Sequence, residues 1–193
     1  MTNGGIVGHD VRLMTVSLDV SGGIAVIRIG EPSDTVLPDL RALLPMAAGA
    51  RAVVLPVDAG LCSIDIKRLV RVSAAEREAL AAAVRGVRDE VANLPVPVVA
   101  AIGGSPYGEV AELAMACDLR VLSSDAALGW VTDSRVTGGQ VLVARRVTAD
   151  EALRTGLVDR VVPPSAVLRT ALELANECKS TQAGRKSCRI VAP

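Results

Sequence analysis

The stretch from residue 95 to residue 122, PVPVVAAIGGSPYGEVAELAMACDLRVL, constrains the fold more than any other part of the chain. It reads as an apolar strand, a Gly103-Gly104 turn, a helix of small residues starting near Gly108, and a second apolar strand. That helix carries a carboxylate, Glu112, among Ala111, Leu113, Ala114, Met115 and Ala116. An ionised group in such company loses hydration unless it is paired, so Glu112 is expected to be sequestered, either as a structural acid bonded to backbone or to Arg120, or as a working acid/base.

The rest of the chain alternates in the same way. Residues 13–20 and 24–29 flank Ser21-Gly22-Gly23 and predict a hairpin closed by a tight glycine turn. A helix is expected from Leu37 to Ala48, limited by Pro45. The continuous apolar run at 51–57 predicts a strand covered on both faces. Ser73-Ala74-Ala75-Glu76 offers a capping box for a helix running to Ala92, stopped by Pro95 and Pro97. Thr148 to Glu151 offers a second one, for a short helix ending at Gly156. Residues 157–162 then form a strand, and Ala166 to Glu177 a last amphipathic helix. Such alternation predicts one layered α/β domain over residues 1–177 with a largely parallel sheet, followed by a flexible, locally basic tail at 178–193.

Composition excludes several functions. With 21 basic and 21 acidic residues, the chain lacks the excess positive charge that drives phosphate-backbone binding, and Trp130 and Tyr107 are its only aromatics, so nucleic acid is not an expected partner. No apolar run is long enough to span a bilayer, and residues 1–12 lack the basic-then-apolar pattern of a secretion signal; a cytoplasmic protein is expected. Cys62, Cys117, Cys178 and Cys188 form no CxxC pair and the sole histidine is His9, so no metal site is expected and the thiols should be free.

Together these motifs resemble the crotonase, or enoyl-CoA hydratase/isomerase, superfamily. Residues 94–129 resemble its central strand, glycine turn and E-L-A-M-A-C-D helix. Residues 59–69, AGLCSIDIKRL, resemble its A-G-A-D-L-K segment, and residues 147–175 its S-A-E-E-A-L-x-x-G-L-V-x-x-V-V-P region. The resemblance implies a crotonase-like spiral of ββα units, here lacking the family's C-terminal helices, and a homo-oligomer, trimer or hexamer. It implies an acyl-CoA, or carrier-bound acyl, thioester as substrate, with coenzyme A part of the substrate and no separate cofactor.

By position, the resemblance assigns the backbone amides of Ile64 and Glu109 to an oxyanion hole, where preorganised donors stabilise an enolate-like oxygen. Glu112 takes the place of the first catalytic glutamate, a general acid/base. Ser63, Ile64 and Asp65 fall on the loop nearest CoA, with Lys67 as a phosphate contact.

Departures from the family pattern also carry information. Glu109 and Val110 stand where glycines are usual, and Glu109 with Glu112 at i, i+3 could form a carboxylate pair, or Glu109 could be a solvated helix-start acid. Thr132 stands at the second glutamate position and cannot act as a base at neutral pH; Asp133 follows it and is expected on the surface of a shortened loop. Asp118 is expected to be a structural turn carboxylate. An enzyme performing hydration or double-bond isomerisation through Glu112, a non-catalytic accessory subunit for a partner enzyme of acyl-CoA or polyketide metabolism, and a pure assembly module are all compatible with these residues.

Overall fold

A computed structural model of the chain describes residues 10–13, 15–29, 35–57, 73–136, 139–180 and 186–187. Its frame is a seven-stranded sheet whose order, β1-β2-β3-β4-β5-β6-β9, follows the chain, so each successive unit adds its strand to the same growing edge. The strands are β1 (Asp10–Arg12), β2 (Val16–Ser21), β3 (Ile24–Ile29), β4 (Ala52–Pro56), β5 (Val98–Ile102), β6 (Leu119–Ser123) and β9 (Arg160–Val162). The first pairings, β1 with β2 and β2 with β3, are antiparallel; from β3 to β9 every pairing is parallel. Gly22 (φ 58°) and Gly23 (φ 81°) close the β2–β3 hairpin, both in the left-handed region that a two-residue turn matched to the strand twist demands.

Parallel strands must be connected across a face of the sheet, which places the helices. These are α1 (Val36–Ala47), α2 (Ala74–Ala92), α3 (Glu109–Ala116), α4 (Ala149–Arg154) and α5 (Val167–Glu177). Alternating residues of the central strands divide between two apolar layers. Val53 and Leu55 of β4 with Val98, Ala100 and Ile102 of β5 pack toward the layer that holds α1, α2 and α3. Ala52, Val54, Val99 and Ala101 face the other way, onto Val167, Ala171, Leu174 and Ala175 of α5. All five β5 residues are buried, so β5 reads as an unbroken apolar run because neither face meets water.

Local chemistry sets the helix ends. Ser73 Oγ accepts from the Glu76 amide at 3.2 Å and the Glu76 carboxylate accepts from the Ser73 amide at 2.7 Å, which is the reciprocal cap expected at the start of α2. Thr148 Oγ1 likewise accepts from the Glu151 amide, at 3.4 Å, to open α4. Pro45 lies inside α1, which ends two residues later at Ala47. Arg41 of α1 donates through Nε and Nη2 to one carboxylate oxygen of Glu90, tying α1 to α2.

Three segments differ from the sequence expectation. Asp10–Arg12 pairs with β2 at the sheet edge, a strand too short to show any alternation. Two ten-residue strands, β7 (Ala127–Val136) and β8 (Gly139–Thr148), pair antiparallel where a shortened loop around Asp133 was expected. Valines at 131, 136, 141, 143 and 147 flanking Gly138-Gly139 favour extended backbone over a loop. Lys179–Ser180 and Lys186–Ser187 pair as two-residue strands, β10 and β11, in the tail that was expected to be flexible.

The start of β7 approaches the β5–α3 turn closely. Tyr107 pairs with Gly129 as an isolated parallel bridge, and a side chain at 129 would overlap the Tyr107 ring. Gly129→Ala is therefore expected to lower stability by about 1–3 kcal/mol. Thermal unfolding checks it, and adding Tyr107→Ala should recover part of the loss.

Candidate active site

The candidate site is built where β5 leaves the sheet. Ligands of parallel α/β sheets bind beyond the carboxyl ends of the strands, where the helix N-termini gather. Between β5 and α3 the chain runs through Gly103, Gly104, Ser105, Pro106, Tyr107 and Gly108. The backbone of β7 clamps this turn. Gly108 N donates to Gly129 O at 3.0 Å, Gly129 N donates to Pro106 O at 3.0 Å, and Ala127 N donates to Ser105 Oγ at 3.0 Å. A turn held by three bonds to a strand is preorganised before any ligand arrives.

Gly108 caps α3 with φ 57° and ψ −129°, a conformation reserved for glycine, and sets the direction in which the helix starts. A Cβ added there would meet no atom within 4 Å beyond its chain neighbours, so any penalty for a side chain comes from the backbone alone. Gly108→Ala should cost about 1–3 kcal/mol and turn the amide that follows it. Denaturant unfolding reads the first effect.

Along α3, Val110, Ala111, Leu113 and Ala114 are buried, and Cys117 continues that face. Glu112, Met115 and Ala116 lie at i, i+3, i+4 on the less buried face, toward α2. The expectation that Glu112 is sequestered is thereby corrected: its side chain is 45% exposed and is not isolated. Arg88 Nη1 of α2 donates to Glu112 Oε2 at 3.0 Å, and Arg88 also donates through Nε and Nη2 to Asp89 Oδ1. The hydrogen bond to Asp89, with a further contribution from Glu112, holds the Arg88 guanidinium above the ordinary arginine value. Arg88 was not anticipated, because it meets Glu112 between two helices across 24 residues of sequence.

Arg120, considered as a partner for Glu112, is engaged elsewhere. Its Nη1 donates to Cys117 O at 2.7 Å, its Nε to Leu157 O at 2.7 Å, and its backbone amide to Asp159 Oδ2 at 2.8 Å. It thus ties the end of α3 to the α4–β9 connection. Asp118 is structural, as expected: its Oδ2 accepts from Val98 N at 2.8 Å and pins the start of β5. Cys117 and Cys178 are both buried. Trp130 is partly buried against the larger apolar layer.

Other expected site positions are only partly visible. The backbone of Glu109 opens α3, while its side chain, and with it the proposed pairing with Glu112, lies outside the described residues. Ser63, Ile64, Asp65 and Lys67 all lie outside them too, as do Cys62, Cys188 and His9. Thr132 is on β7, paired in register with Val143, at the position where the resemblance places a second glutamate. Among the described residues, no cluster of His, Cys, Asp or Glu could hold a metal ion, and no helix is long and apolar enough to cross a membrane.

No protein-family model matches the chain. It is 29% identical to a short-chain-enoyl-CoA hydratase of Clostridium acetobutylicum, in an alignment covering 88% of this chain and 77% of that protein. It is 33% identical to human mitochondrial methylglutaconyl-CoA hydratase over 58% of this chain, spanning only 40% of the human protein. A crystal structure of an enoyl-CoA hydratase from Bacillus anthracis superposes with a TM-score of 0.70, at 26% identity, over 84% of this chain and 76% of that one. With its sheet growing strand by strand in chain order and the β5–turn–α3 unit at its centre, the chain has the crotonase-like fold, and these likenesses support its membership of the crotonase superfamily.

Proposed function

We propose that the chain binds an acyl-CoA, or carrier-bound acyl, thioester at the N-terminus of α3 and moves a proton with Glu112. The thioester oxygen would accept hydrogen bonds from the amides of Glu109 and Ile64, and Ser63, Asp65 and Lys67 would meet the CoA portion. The position of Glu112 carries this reading: it sits in the first turn of α3, one helical turn from the Glu109 amide, on a side chain that is 45% exposed. The first-turn amides of a helix and its dipole favour developing negative charge, so an enolate oxygen is stabilised where the proton is exchanged. A single acid/base suffices to move a double bond by taking a proton from one carbon and returning it to another. Hydration generally engages a second carboxylate, and position 132 holds threonine. Isomerisation is therefore favoured over hydration.

Thr132 also favours a second reading, in which the chain binds the thioester without turning it over and serves a partner enzyme. A thermal-shift series with acetyl-, crotonyl- and longer acyl-CoAs, run beside turnover of 2-enoyl- and 3-enoyl-CoA, separates the two. Binding only to the folded state raises apparent stability by about 2.7 kcal/mol at a hundredfold excess over Kd. Stabilisation with turnover supports the enzyme, and stabilisation alone supports the accessory role. No stabilisation by any CoA ester contradicts both.

A further inference from the structure

We propose that Arg88 is the positioning residue for Glu112, holding one carboxylate oxygen so that the other faces the acyl chain. The inference rests on the proposed acid/base role of Glu112. Oε2 of Glu112 accepts from Arg88 Nη1 at 3.0 Å, and among the described residues no hydrogen bond reaches Oε1. One oxygen is thus fixed and one is available for proton exchange.

Arg88 is itself held. Its Nε and Nη2 both bond Asp89 Oδ1, at 3.0 and 2.9 Å, which orients the guanidinium plane and leaves Nη1 to reach α3. An arginine cannot give up its proton in this pH range, so it orients and balances the carboxylate without competing for the transferred proton. Fold stability does not account for the contact: the two side chains are 33% and 45% exposed, and water screens a pair of that kind. The buried faces of α2 and α3, with Val84, Val87 and Val91 against Leu113 and Ala114, already hold the helices in one apolar layer.

The test measures kcat and KM for a 3-enoyl-CoA substrate in the unmodified chain and in Glu112→Gln, Arg88→Met, Arg88→Lys and Arg41→Met, with thermal unfolding recorded for each. Arg41→Met removes another exposed inter-helix ion pair, to Glu90, and serves as the structural control. Misplacing a catalytic group by about 1 Å costs on the order of 100-fold in rate. Arg88→Met is accordingly expected to lower kcat by roughly 10- to 100-fold with KM unchanged. Arg88→Lys should restore part of that loss, and Arg41→Met should leave kcat as it was.

Unchanged kcat in Arg88→Met beside a large loss in Glu112→Gln would overturn the role of Arg88 and leave that of Glu112 standing. A rise in KM alone in Arg88→Met would also overturn it, since Arg88 would then be contacting the ligand. If Arg88→Met does not fold, kcat in Arg88→Lys decides, and a value equal to that of Arg41→Met is against the proposal. Turnover undiminished in Glu112→Gln, or absent from the unmodified chain, removes the acid/base role and the inference with it.

Discussion

Replacing Glu112 with Gln is expected to lower turnover of a short enoyl-CoA by about 10²–10⁴-fold, the range that a positioned general acid/base supplies. The amide keeps the size of the carboxylate and can still accept the Arg88 hydrogen bond seen at 3.0 Å, so the affinity for CoA esters should stay close to that of the unmodified chain. Comparing kcat with binding measured by calorimetry checks both halves. Loss of binding together with turnover would mean that the substitution disturbs the start of α3 rather than proton transfer.

The second large effect concerns the fold. Arg120 and Asp159 are only 17% and 16% exposed, and Asp159 accepts the Arg120 backbone amide in addition to facing its guanidinium. Asp159→Ala leaves a largely buried guanidinium without its counter-charge and an amide without its acceptor. A loss of about 3–5 kcal/mol is expected, the cost of removing one partner from a buried pair. In a chain of this size each kcal/mol corresponds to roughly 2–4 °C in Tm. Asp159→Asn keeps an acceptor for the amide and should lose less. A drop in Asp159→Ala no larger than that of a surface substitution would show that Arg120 is carried by the Cys117 and Leu157 carbonyls alone.

Much of the frame is legible in the sequence, because the features concerned are local. The apolar runs at 52–56 and 98–102 read as strands since both of their faces are covered, and Ser73 with Glu76 marks the start of α2 before any tertiary contact is considered. What escapes is set by partners distant in the chain. Asp10–Arg12 becomes a strand only because β2 offers it an edge. Ala127–Val136 and Gly139–Thr148 become paired strands through a register that runs from Ala127↔Thr148 to Val136↔Gly139. The burial of Glu112 cannot be taken from its sequence neighbours: Ala111 and Leu113 are fully buried, but successive residues of a helix face different directions, and i±3 and i±4 decide. Arg88 completes the site from another helix, and no local pattern announces such a contact.

A crystal structure of the chain with a short acyl-CoA would place the thioester and Glu112 in one view. The thioester oxygen is expected at about 2.7–3.1 Å from the amide nitrogens of Glu109 and Ile64. The Glu112 carboxylate is expected beside the acyl carbons, with Oε2 still on Arg88. A thioester seated away from the start of α3, or those two amides directed to separate places, would rule out an oxyanion hole at this turn.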